Sequence, residues 1–111
     1  MPSDSGLLER MKVLANAGKL RVRIHAARHM AEEDFSVADM AEAIAGKSRI
    51  LENYPEQLRC LVVGFFQVSE NVKSPLHLVC EYPQENDLEI VTAYIPQKPR
   101  WSSPWQRGRK K

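Results

Sequence analysis

The chain has few cysteines and few residues of the kinds that would announce a function. It holds two cysteines, Cys60 and Cys80, in 111 residues. Neither belongs to a C-x-x-C pair, which argues against a zinc ribbon or a dithiol redox motif. Each lies in an apolar, strand-like run, and in a reducing compartment both are expected to be small buried hydrophobes. No apolar run approaches the roughly 20 residues needed to span a bilayer. The first residues, "MPSDSGLLER", lack a basic start followed by an apolar stretch. That leaves no signal-peptide pattern and an expectation of a cytoplasmic protein with no membrane partner. H-E-x-x-H is absent, and no internal repeat is visible.

What is present is an ordinary globular composition, 43% hydrophobic and 7% aromatic, enough for one core. The net charge of +2 hides an asymmetry. Of sixteen Lys and Arg, six fall within residues 98–111, where there is no acid, leaving ten against fourteen acidic residues in 1–97. The expected organisation is one domain over 1–97 and a basic tail over 98–111 carrying Trp101 and Trp105. Such a tail can hold RNA by phosphate attraction and base stacking, or simply be solvated, the reading its sequence favours.

Helical spacing in "SGLLERMKVLANAG" predicts a first helix, capped by Ser5 and stopped by Gly18. "LRVRI" alternates as a short strand. "HAARHMAEE" is rich in helix formers. "SVADMAEAIAG" reads as a helix with Ser36 as N-cap and Gly46 as its stop. After Gly46 the period changes to two. "SRILENY", "LRCLVVGFFQV", "LHLVCEY" and "LEIVTAYI" read as strands, the second apolar on both faces around Gly64. Helices followed by a meander imply an α+β fold, with N-terminal helices packed on one face of a roughly four-stranded antiparallel sheet.

Four segments recur together: "HAARHMAEEDFS", "ENYPE", "PLHLVCEY" and "IVTAYIPQKPRW". In order and spacing they resemble a family of small bacterial proteins catalogued as a domain of unknown function, with the pattern H-A-x-x-R-M, E-x-Y-P, H-V-V and T-x-Y-x-P followed by Trp. That family in turn resembles RelE-like and barnase-like ribonuclease toxins. The resemblance implies a toxin-type, metal-independent endoribonuclease of a bacterial toxin–antitoxin system, with RNA as substrate, a protein antitoxin as partner and no cofactor. Its two histidines fall on His25 and His77, and its other recurring positions on Tyr54, Thr92, Tyr94 and Trp101. His29 stands where the pattern has arginine, and Glu33–Asp34 where it has Arg-Gly.

Cleavage by the 2′-hydroxyl needs a base, an acid and cationic donors for the phosphorane. His25 and His77 are the expected base and acid, Tyr94 a phosphate-orienting or proton-donating group, and Arg28 and Arg100 the phosphate holders. Glu81, on the same strand face as His77, is a second candidate base. "AEED" reads as a solvated acidic face. Two other functions compete. One is a non-catalytic RNA- or protein-binding module on the same fold. The other is a metal-dependent hydrolase built on His25 and His29, whose i, i+4 spacing suits zinc.

Overall fold

In a computed structural model of the chain, residues 4–84, 86–96, 101–103 and 106–107 are described, with side chains over 6–84 and 86–96. Helix α1 (Asp4–Asn16) buries Leu7, Met11 and Ala15, a stripe at intervals of four. It begins at Asp4, so Ser5 lies within its first turn and is not its cap. It ends where Gly18 takes φ +70. There the Gly18 and Lys19 N–H groups bond the carbonyls of Ala15 and Leu14, closing the helix as a left-handed C-terminal residue allows. Strand β1 (Leu20–Val22) leads directly into α2 (Ile24–Glu33). Asp34, at φ 60, stops α2, and its N–H bonds the Met30 carbonyl. Helix α3 (Val37–Ala45) starts with a capping box: Ser36 Oγ accepts from the Asp39 N–H, and Asp39 accepts from the Ser36 N–H. Such a box satisfies two helix-end donors at once.

Four long strands follow: β2 (Arg49–Tyr54), β3 (Arg59–Ser69), β4 (Val72–Glu81) and β5 (Leu88–Tyr94). They form the expected antiparallel meander, but the sheet has a fifth member. β1 pairs parallel to β5, with Leu20 opposite Leu88 and Val22 opposite Ile90, so the order is β1-β5-β4-β3-β2. The first and last strands of the domain meet at this edge because all that lies between them, helices included, serves as the crossover a parallel pair requires. Two short strands, β6 (Trp101–Ser103) and β7 (Gln106–Arg107), pair in a separate two-stranded sheet.

All three helices contribute to one core against one sheet face. That face presents Cys60, Val62 and Phe66 from β3, Leu76, Leu78 and Cys80 from β4, and Leu88, Ile90 and Ala93 from β5. α3 crosses β3 at Gly64 so closely that a Cβ there would sit 2.1 Å from the Ala43 carbonyl oxygen. Glycine is required at that point for space rather than for its dihedral freedom.

A register shift between β4 and β5 decides what reaches the other face. Cys80 is opposite Ile90, but Val79 is opposite Thr92, leaving Val91 as the extra residue of a bulge. Without it, Leu88, Ile90, Thr92 and Tyr94 would all share the core face by simple alternation. The bulge turns Thr92 and Tyr94 to the open face, beside Val79 and His77. No helix among the described residues is long and apolar enough to cross a membrane.

Candidate functional site

Two polar groups occupy the open side of the sheet. The first is built around Tyr94. It sits directly opposite His77 in the β4–β5 ladder, and the two rings lie 5.3 Å apart at a tilt of 58°. His77 Nδ1 is 3.4 Å from the Tyr94 hydroxyl. On its other side Tyr94 meets the His29 ring at 6.3 Å and 56°. Both contacts have the tilted geometry that aromatic rings prefer.

α2 delivers His29 because β1 is short. It covers the Leu88–Ile90 half of β5, and α2 then packs beside the remainder of that strand. Glu33, one turn beyond His29, completes the group. One oxygen lies 2.6 Å from His29 Nδ1, and the other accepts the Ile95 N–H at 2.8 Å. Glu33 thus closes a backbone donor at the sheet edge and fixes an imidazole at the same time. With Nδ1–H donating to the carboxylate, Nε2 is the nitrogen left with a lone pair. His29 keeps 39% of its side chain exposed, whereas His77 is wholly buried.

The second group is a row of alternating charges. Arg23, just past β1, bonds Glu89 on β5 and lies 3.2 Å from Glu81 on β4. Arg59 on β3 directs Nε and Nη2 to the same Glu81 oxygen, each at 3.2 Å. The Glu89 carboxylate, assisted by Glu81, raises the Arg23 pKa above its already high ordinary value. On the core face Cys60 and Cys80 are opposite each other and both are free thiols. Burial, with a smaller contribution from Cys60, holds the Cys80 thiol well above its usual pKa.

The sequence-predicted residues are divided by this arrangement. His77 and Tyr94 come together, and Thr92 lies on the same face one residue pair away. His25 does not join them. It is exposed on α2, and its side chain makes no hydrogen bond, ion pair or ring contact among the described residues. His29, which stands where the family pattern has arginine, takes that position. Arg28 is exposed on α2. Tyr54 is far across the sheet on β2, bonded to Glu52. Glu81 is pinned between two arginines rather than available as a base. Arg100 lies outside the described residues, as does the side chain of Trp101, whose backbone opens β6. The competing zinc reading of His25 and His29 finds His29 Nδ1 directed to Glu33. Among the described residues no three His, Cys, Asp or Glu are grouped to hold a metal ion.

Glu33 is the residue that sequence reasoning missed. "AEED" reads as solvated, but this glutamate is only 20% exposed. Its i, i+4 spacing from His29 was a usable signal; its bond to Ile95, 62 positions away, was not.

A family model described as "Domain of unknown function (DUF4258)" matches residues 23–95, and the chain belongs to that family. The match starts just before α2 and ends at Ile95, so it includes His29, Glu33, His77 and Tyr94. No curated protein and no solved structure matches the chain.

Proposed function

We propose that this protein is a metal-independent endoribonuclease of the toxin type, cleaving RNA by attack of the 2′-hydroxyl, with a protein antitoxin as its partner. The observation that carries the reading is the His29–Glu33 pair set against Tyr94 and His77. A carboxylate on Nδ1 fixes the tautomer and orientation of an imidazole, the arrangement a general base needs.

In this mechanism His29 Nε2 takes the 2′-hydroxyl proton and the 2′-oxygen attacks phosphorus. The O2′–P bond forms and the P–O5′ bond breaks. The products are a 2′,3′-cyclic phosphate and a 5′-hydroxyl, the latter receiving its proton from the Tyr94 hydroxyl. His77, buried behind Tyr94, acts through it as a positioning residue. Arg28, exposed on α2, supplies the positive charge that the phosphorane requires.

The test is incubation of the purified chain with a short RNA in a metal chelator. Cyclic-phosphate and 5′-hydroxyl ends are expected, and a 2′-deoxy substitution at the scissile position should block cleavage. Intact RNA at high enzyme concentration would overturn the reading. A second reading, a non-catalytic module that binds RNA or a protein, is favoured by one observation: the Glu33 bond to Ile95 gives the His29–Glu33 pair a structural use without chemistry.

A further inference from the structure

We propose that Cys60 and Cys80 are a redox couple: uncovered by α1, their thiols oxidise to a cross-strand disulfide that reduced glutathione readily reopens. The proposed ribonuclease chemistry uses neither thiol. The observation is their register. The chain's only two cysteines are directly opposite each other in the β3–β4 ladder, and both belong to the core cluster on the face beneath the helices. The ladder also gives their spacing. Next to its first pair, the Tyr82 N–H bonds the Leu58 carbonyl at 2.8 Å. Hydrogen-bonded pairs recur at every second position, so Cys60 and Cys80 are such a pair. Its Cα atoms are about 5.5 Å apart, a common separation for a disulfide. Its Cβ atoms stand about 5 Å apart, wider than the roughly 3.8 Å of a relaxed bridge. Closing the bond therefore strains it, and strained bridges are the oxidising, easily reduced ones.

α1 guards the pair. Cys60 Sγ lies 3.9 Å from the Met11 sulfur on that helix, while Cys80 Sγ turns to the Leu78 carbonyl at 4.0 Å. Burial also holds the Cys80 thiol protonated, and a buried thiol is inert. α1 precedes the segment 23–95 that defines the family. A helix near the chain terminus unfolds locally at less cost than the whole domain, and its departure bares Cys60 first. The Cys60 thiolate then attacks glutathione disulfide and expels one glutathione thiolate. The Cys80 thiolate attacks Cys60 Sγ in the mixed disulfide, forms the Sγ–Sγ bond and expels the second. The protein gives up two electrons and two protons, and the oxidant becomes two thiols.

The test equilibrates the intact chain, without denaturant, in glutathione buffers running from reduced to oxidised. After acid quenching, the remaining thiols are alkylated in urea and the chain is weighed and mapped. In oxidised buffer both cysteines should escape alkylation, with a mass lower by two hydrogen atoms. Tryptic cleavage at Lys73 should leave the Cys60 and Cys80 peptides joined only by the bridge. Reduced glutathione should restore both thiols, and the circular dichroism of the oxidised chain should remain that of a folded protein. Leu8→Ala removes a partly buried contact of α1 without touching either sulfur and should speed oxidation several-fold. A chain that stays reduced, or gains only glutathione adducts, would overturn the proposal. So would a bridge that reduced glutathione leaves closed, or a Leu8→Ala chain that oxidises at the parent rate.

Discussion

Glu33 joins His29 to the end of β5: one carboxylate oxygen lies 2.6 Å from the imidazole Nδ1 and the other holds the Ile95 N–H at 2.8 Å. A helix and a strand edge are locked together by the group that orients the candidate base. Glu33→Ala removes both bonds and leaves a partly buried amide without its acceptor. A loss of about 1–3 kcal/mol in urea unfolding is expected. Glu33→Gln keeps an acceptor for Ile95 and should recover most of that stability. Its RNA cleavage should still fall by about 10²-fold or more, because with its oxygen on Ile95 the amide turns its NH2 to Nδ1 and selects the other imidazole tautomer.

Glu81 provides a contrast. It is held by Arg23 and Arg59 and is about a quarter exposed, at 28%. Glu81→Gln should cost at most about 1 kcal/mol, since partly solvated ion pairs contribute little. Cleavage should stay close to that of the parent protein. A large fall in the catalytic rate with unchanged stability would return Glu81 to the role of base.

Gly64→Ala should be strongly destabilising, by about 2 kcal/mol or more, because the new methyl meets the Ala43 backbone. Ala43→Gly should fail to rescue it, since the clash is with a carbonyl that every residue carries. Thermal unfolding of the single and double variants checks both statements.

Cys80 links stability to alkaline pH. Its thiol titrates well above its usual pKa in the folded chain, so folding binds a proton that the unfolded thiol releases. Stability is full below the unfolded pKa of about 8.5 and declines as pH rises past it. Cys80→Ala should be less stable at neutral pH through the lost packing, but should flatten the decline between roughly pH 8.5 and 10. A thiol reagent should reach Cys60 and Cys80 only on unfolding.

Much of the fold is legible in the residue pattern, because its signals are local. Ser36, Asp39 and Gly46 bound α3, a near-continuous apolar run marks β3, and alternation marks β4. The parallel pairing of β1 with β5 is not, since three residues of "LRV" carry no mark of a partner 68 positions away. The bulge at Val91 is equally silent, yet it decides that Tyr94 faces His77 rather than the core. The histidines show the same limit. His25 and His29 share a helical face by spacing, and only the packing of α2 beside β5 determines which one meets Tyr94.

The most direct test of the proposed chemistry compares initial rates of RNA cleavage, in chelator, for the parent chain, His25→Ala and His29→Ala. Loss of about 10²-fold or more in His29→Ala, with His25→Ala near the parent rate, is the expected result. The reverse order, with His29→Ala active and His25→Ala inactive, would contradict it and place the base on the exposed side of α2.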